Sequence, residues 1–324
     1  MIEKQAFRIV FAALLHLAAC LALVSCQADR IPTIQLPKNL VNAANPLDPK
    51  KTVTRTPFQA QSPTIPPTST ATPFPISTPT LIPTETPEPC LSRQGQIESH
   101  TVEFSNPSLP LTFRVYLPPC YGLEDGYRYP VLYIIHGQTY KDDQWDRLGI
   151  DEAADAMIKA KEAPPFLIVM PLEVDTFEDI YSASFSKDLV NGLVPWMDAN
   201  YTTCAERACR AIGGLSRGGA WAFRLGFLHW DIFGAVGMHS TPPFTGDPNQ
   251  LSNWLRQIPA DQVPRVWMDT GKRDAFLAQT SQLEQLLVLL NVPHEWYLFN
   301  GAHDEEYWSA HVADYLAWYT QPWK

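Results

Sequence analysis

Basic residues are in short supply in this chain. Its 24 Lys and Arg stand against 34 Asp and Glu, a formal charge of -10 at pH 7. Nucleic-acid binding needs a surplus of cations on one face to hold phosphates, so a nucleic-acid partner is excluded. The one apolar stretch near the N-terminus, Ile9 to Val24, falls short of the roughly 20 residues that a membrane-spanning helix requires. No Cys-x-x-Cys pair occurs, and no His stands at ligand spacing from Cys90, Cys120, Cys204 or Cys209, so no metal site is expected.

That short apolar stretch fits an export signal instead. Lys4 and Arg8 precede or open it, and Leu23-Val24-Ser25-Cys26 closes it, giving a charged region, a short apolar core and small residues before a cut. The Cys directly after the small residue resembles the bacterial lipoprotein signal, in which that thiol receives diacylglycerol and becomes the new N-terminus. Residues 1–25 are therefore read as the signal and Cys26 as the lipidated residue. The expected location is outside the cytoplasm, anchored by lipid to the membrane of the cell envelope. A plain cleaved signal and an uncleaved anchor helix are the alternatives.

Residues 26–89 are rich in Pro, Thr and Ser, as in Thr64-Ile65-Pro66-Pro67-Thr68-Ser69-Thr70. With few large apolar side chains and many prolines lacking an N–H, such a segment builds no core and reads as a disordered, extended tether. The folded domain is expected over 90–324. Of the six cysteines, Cys20 falls in the signal and Cys26 takes the lipid, leaving Cys90, Cys120, Cys204 and Cys209. An even set in an exported chain implies two disulfides. The sequence-local pairing joins Cys90 to Cys120 and Cys204 to Cys209, although four cysteines allow three connectivities.

Beyond Cys90, two alternating segments, Ile97 to Phe104 and Thr112 to Leu117, predict early strands. Short continuous apolar runs follow at Val131 to Ile135, Phe166 to Met170, Arg210 to Gly213, Gly234 to Met238, Val266 to Asp269 and Glu295 to Phe299. Helical patterns separate them at Ile150 to Lys161, Phe185 to Asn200, Gly218 to Leu228, Ala275 to Asn291 and Glu305 to Tyr319. Alternating strand and helix predicts an α/β protein with a doubly wound, mostly parallel sheet and an antiparallel edge.

In such sheets the reactive groups gather beyond the carboxyl ends of the strands. The loops there supply, in chain order, a Ser, an Asp and a His. A serine hydroxyl is a weak nucleophile until an imidazole takes its proton and a carboxylate fixes the imidazole's tautomer. Gly214-Leu215-Ser216-Arg217-Gly218 fits the G-x-S-x-G turn that pushes a Ser out between strand and helix, making Ser216 the candidate nucleophile. His303, after the last strand, is the candidate base in preference to His311, His294, His136 and His239. Asp274 is the preferred carboxylate and Asp269 the alternative. The oxyanion donors are expected to be the backbone N–H groups of Gln138 and Arg217. Trp145, Phe177, Tyr181, Trp221 and Phe185 are candidates for an aromatic cleft suited to a feruloyl or sugar ester, with core packing the alternative for such rings, and His239 is read as lining the pocket.

Several stretches carry a likeness to a known family: Val115-Tyr116-Leu117-Pro118-Pro119, Tyr129 to Gly137, Pro165 to Pro171, Arg210 to Gly219, and Gly301-Ala302-His303-Asp304 with Tyr307-Trp308. With them, the chain from Cys90 to Trp323 resembles the esterase family that includes esterase D, the feruloyl and acetylxylan esterases, the siderophore esterases and the mycolyltransferases. The resemblance implies an α/β-hydrolase fold with about eight strands flanked by helices and no large lid. It also implies a Ser216–His303–Asp274 triad, a small-molecule or carbohydrate ester substrate, no metal and no cofactor. Two departures stand out, the Cys-bearing insert Thr203 to Cys209 and Gln138 where the family often has Gly. Acyl transfer to a sugar or lipid hydroxyl is the competing reaction on the same site. A non-catalytic binding lipoprotein is the competing class.

Overall fold

The structure, a computed structural model, describes residues 89–104, 110–174, 179–181 and 183–324. The signal, Cys26, the tether up to residue 88 and Phe177 lie outside the described residues. Eight strands form one sheet: β1 (Gln96–Val102), β2 (Leu111–Leu117), β3 (Val131–Ile135), β4 (Leu167–Pro171), β5 (Arg210–Leu215), β6 (Ala235–His239), β7 (Arg265–Gly271) and β8 (Glu295–Phe299). Their spatial order is β1-β2-β4-β3-β5-β6-β7-β8. The pairings of β2 with β1 and with β4 are antiparallel, and all the others are parallel.

Residues of β3, β4, β5 and β6 are buried at every position, as expected for strands covered on both faces. Side chains still alternate: Val131, Tyr133 and Ile135 join one apolar cluster, whereas Leu132 and Ile134 join the other. Each uninterrupted apolar run therefore feeds two cores at once. The helices are α1 (Gln144–Arg147), α2 (Ile150–Lys159), α3 (Phe185–Lys187), α4 (Val194–Asn200), α5 (Arg217–Leu228), α6 (Asp247–Leu255), α7 (Leu277–Leu289) and α8 (Glu305–Thr320). Side chains of α5 and α7 complete the first core, and those of α2 and α8 the second.

Three features depart from the sequence reading, the first being the single-turn helix α1, which was not anticipated. The helix expected over Phe185 to Asn200 is α3 and α4 with a π-helical turn, Asp188–Leu193, between them. Helix α6 was not anticipated, because Asn, Gln and Ser hide its two buried apolar anchors, Leu251 and Trp254. Elsewhere the strand and helix ends move by one to a few residues, as element boundaries do.

Gly213 and Gly237 face one another across β5 and β6. A Cβ on either would lie 1.8 or 1.7 Å from the Tyr319 hydroxyl oxygen. The two glycines thus make room for a phenol from the C-terminal helix to reach the sheet itself.

Disulfides join Cys90 to Cys120 and Cys204 to Cys209. Cys90 precedes β1, whose first residue Gln96 pairs with Leu117, beside the start of β4, where Ile168 pairs with Tyr116. The chain thus comes into the sheet at the end opposite the carboxyl ends of the parallel strands. No helix among the described residues is long and apolar enough to cross a membrane.

Candidate active site

Ser216 stands between the end of β5 and the start of α5 with φ 52° and ψ -119°, a strained backbone for a residue with a Cβ. Its glycine neighbours explain how the chain turns there. A Cβ on Gly214 would lie 2.3 Å from the Gly218 carbonyl carbon, and one on Gly218 would lie 2.1 Å from the Ile135 carbonyl oxygen. The Ser216 N–H donates to the His239 carbonyl at 2.8 Å, so β6 braces the turn from beneath.

His303 follows β8 in the loop before α8. Its Nδ1 donates to both Asp274 carboxylate oxygens, at 3.0 and 3.1 Å. That bond leaves Nε2 to accept the Ser216 hydroxyl proton at 2.9 Å. Burial alone would raise the Asp274 pKa. The hydrogen bond from His303 and that from the Phe276 N–H, at 2.7 Å, outweigh it and hold the carboxyl below its ordinary range. The imidazole is also walled by rings, with Phe276 and Trp308 centred 4.8 and 5.0 Å from it, both edge to face.

The three side chains open on a cleft of about 380 Å³ lined by Gly137, Gln138, Thr139, Tyr140, Leu215, Ser216, Phe276, His303 and Trp308. Gln138 is exposed at its mouth, beside Ser216. Gly137 is held on both sides: its N–H donates to Gln144 Oε1 at 2.8 Å, and its carbonyl accepts from His136 Nδ1 at 2.7 Å. Gln144 passes the hold on to Glu305 at the start of α8, at 3.2 Å.

The expected aromatic lining is corrected. Trp145 is 1% exposed and spends its indole N–H on the Ile135 carbonyl, at 3.0 Å. Trp221 is fully buried against Phe185 and Phe244, and Phe185 belongs to the same core. His239, also fully buried, is taken up by Asp269 and Tyr319. Core packing of large aromatics produces the same sequence signal as a cleft wall. Tyr181 is exposed but lies over the Arg224 guanidinium, 4.6 Å from its Cζ, and is not part of the cleft. The rings that do line it, Tyr140, Phe276 and Trp308, each sit two to five residues from a candidate catalytic or oxyanion position. That proximity was the available signal.

The alternative carboxylate and the rival histidines also have partners of their own. Asp269 serves His239, the Trp267 indole and the hydroxyls of Tyr307 and Tyr315, so it does not serve His303. His311 pairs with Asp314 on the surface of α8, and His294 lies near Glu284 before β8.

The family described as "Putative esterase" matches residues 107–319. The chain belongs to this esterase family. Among curated proteins, an endo-1,4-β-xylanase/feruloyl esterase of Xylanibacter ruminicola is 30% identical over 156 residues, 45% of this chain and 22% of that protein. An esterase of Mycobacterium tuberculosis is 31% identical over 136 residues, 37% of this chain and 28% of that protein. The chain thus spans only about a quarter of the length of the curated relatives it matches.

Among solved structures, a ferulic acid esterase aligns with a TM-score of 0.63 at 23% identity, covering 71% of this esterase-family chain and 100% of that one. An S-formylglutathione hydrolase of Staphylococcus aureus aligns at 0.57 and 17% identity, covering 71% and 98%. A ferulic acid esterase of Anaeromyces mucronatus, solved with ferulic acid, aligns at 0.59 and 18%, covering 72% and 93%. These likenesses show the α/β-hydrolase fold, and no lid is evident among the described residues.

Proposed function

We propose that this esterase-family enzyme is a serine carboxylic-ester hydrolase working through an acyl-enzyme. The observation that carries the reading is the unbroken line from Ser216 Oγ to His303 Nε2 at 2.9 Å and from His303 Nδ1 to Asp274 at 3.0 Å. In this reading Ser216 attacks the ester carbonyl while His303 takes its proton, and Asp274 stabilises the imidazolium that results. The oxyanion is received by the N–H groups of Gln138 and Arg217. His303 then returns the proton to the leaving alcohol. Water, activated by the same imidazole, releases the acid.

The favoured substrate is an ester of an aromatic acid such as ferulate. Tyr140 and Phe276, 40% and 36% exposed on the cleft walls, offer flat apolar surfaces for such a ring. The names of the curated and structural relatives point the same way. A lipid on Cys26, a tether over 26–89 and a catalytic domain over 90–324 would carry this activity outside the cytoplasm.

The test is hydrolysis of methyl ferulate, p-nitrophenyl acyl esters and acetylated xylan by the full chain and by Ser216→Ala, with and without an alcohol acceptor. Loss of turnover in the variant is expected. A wild type no faster than Ser216→Ala would sink the reading, and acyl-alcohol product in place of free acid would make the enzyme a transferase. Partition of the exported chain into a detergent phase, abolished by Cys26→Ala, is the expected mark of the anchor.

A further inference from the structure

The two N–H groups assigned to the oxyanion belong to different loops, Gln138 to the one after β3 and Arg217 to the first turn of α5. Donors on separate loops stabilise a transition state only if the loops are held in fixed register. Glu173, in the loop after β4 and 3% exposed, touches both. Its backbone N–H donates to His136 Nε2 at 2.9 Å. Its carboxylate accepts from the Arg217 guanidinium, from Nε at 2.8 and 3.0 Å and from Nη2 at 2.6 Å.

The bond to His136 acts at a distance. Because Nε2 accepts, the ring proton sits on Nδ1, and Nδ1 donates to the Gly137 carbonyl at 2.7 Å. That carbonyl and the Gln138 N–H are the two ends of one planar peptide, so a bond that fixes the oxygen also aims the N–H. The Tyr140 N–H adds a second bond to the same oxygen at 3.2 Å. Burial lowers the His136 pKa and keeps the ring neutral. On the other side, Arg217 is fixed by the carboxylate and by the Phe244 ring, 5.0 Å from its Cζ.

We infer that Glu173 is a positioning residue for the oxyanion donors, acting through His136 on the Gln138 peptide and through Arg217 on the serine turn. The inference rests on the ester-hydrolase reading above. Its carboxylate also neutralises the cation nearest the nucleophile in sequence, which leaves the oxyanion to be met by peptide dipoles and not by a mobile guanidinium.

Three variants of the full chain test it. Glu173→Gln keeps the backbone bond to His136 but loosens the grip on Arg217. His136→Phe keeps the ring but removes both nitrogens. Asp198→Asn breaks the Arg210–Asp198 pair at the opposite end of β5 and reports the cost of losing an ion pair away from the site. Turnover is measured per active site titrated with a fluorophosphonate, alongside inhibition by an aryl boronic acid, which mimics the tetrahedral adduct.

Glu173→Gln and His136→Phe are expected to lower kcat by about 10- to 100-fold, less than the loss of a donor outright, and to weaken the boronic acid in proportion. KM should stay within about 3-fold of wild type, since the oxyanion forms only in the transition state. Asp198→Asn should lower the melting temperature and leave kcat and boronate affinity unchanged. If Glu173→Gln and His136→Phe behave like Asp198→Asn, the inference is overturned. Should His136→Phe fail to fold, Glu173→Gln decides alone. A wild type no faster than Ser216→Ala overturns the hydrolase reading and this inference with it, an outcome distinct from an active wild type with indifferent variants.

Discussion

The Asp269 carboxylate accepts the Nδ1–H of His239 at 2.7 Å, with both side chains fully buried. It forms a second histidine–carboxylate pair, its aspartate five residues before Asp274 in sequence yet buried away from the cleft. Tyr319 donates to the remaining nitrogen of His239 at 3.0 Å. Burial beside Asp269 pushes the hydroxyls of Tyr307, Tyr315 and Tyr319 well above the usual phenol range, so they stay protonated and donate. The Asp269 carboxylate thus accepts four hydrogen bonds, from His239, Trp267, Tyr307 and Tyr315.

The two aspartates should therefore separate cleanly. Asp274→Asn is expected to lower kcat by roughly 10³- to 10⁴-fold, through the wrong His303 tautomer, with a melting point only a few degrees lower. Asp269→Asn breaks a saturated buried network and should cost about 3 kcal/mol. In a domain of this size that is roughly 6–12 °C in melting temperature. Its surviving molecules should turn over within about 3-fold of wild type, because Asp269 does not touch His303. Thermal melts paired with active-site-titrated kinetics check both, and a stable but inactive Asp269→Asn would contradict the assignment.

Asp274 also sets an acid-side signature. Its carboxyl is held below the ordinary range in the folded state, so the unfolded chain binds more protons than the native one between the two values. The stability this contributes is present above the ordinary carboxylate value of about 4 and is lost as pH falls through the depressed native value. The melting-point deficit of Asp274→Asn relative to wild type should accordingly be largest near neutrality and close below pH ~4. Melts over that range measure it, and a deficit that widens on acidification would reverse the sign.

Phe276 contributes to the site twice, by a backbone N–H on Asp274 and by a ring against His303 and the cleft. Phe276→Ala keeps the first and removes the second. If the ring supports an aromatic acyl group, kcat/KM for methyl ferulate should fall about 10- to 30-fold, the equivalent of about 1.5–2 kcal/mol of lost contact. Hydrolysis of p-nitrophenyl acetate should change by less than about 3-fold. An equal loss on both esters would mean that the ring acts through His303 and not on substrate.

The two disulfides close loops of different length, with 30 and 5 residues of sequence separation. Chain entropy then assigns about 3.5 kcal/mol to Cys90–Cys120 and about 2 kcal/mol to Cys204–Cys209. Replacing the first pair by Ala should lower the melting temperature by roughly 7–14 °C and the second by roughly 4–8 °C. Differential scanning calorimetry of the two double variants ranks them. The opposite ranking would mean that native-state contacts, not loop closure, dominate.

What the sequence made legible follows from how much of each signal is local. Strands β3 to β7 could be read because a strand buried on both faces is apolar at nearly every position, and β8, an edge strand with no buried residue, still falls on the expected residues. Ser216 was legible because the turn it occupies needs glycine at fixed offsets. The His303–Asp274 contact joins residues 29 apart in sequence, but strand order put both in loops at one end of the sheet. The cleft wall was not legible, since Trp145 and Trp221 carry the same aromatic signature whether they face a ligand or a core. Helix α6 escaped because Leu251, Trp254 and Leu255 are the only large apolar side chains among its nine residues, too short a run to set a periodicity. Glu173 escaped because nothing in its neighbours in sequence announces a partner 44 residues away.

The Cys90–Cys120 bridge has a geometric consequence. It pins the first described residues at the foot of the sheet, while Ser216, His303 and Asp274 occupy the head. Anything attached through the residues before Pro89 therefore joins the domain at its base, at the far end of the sheet from the loops that carry these three side chains.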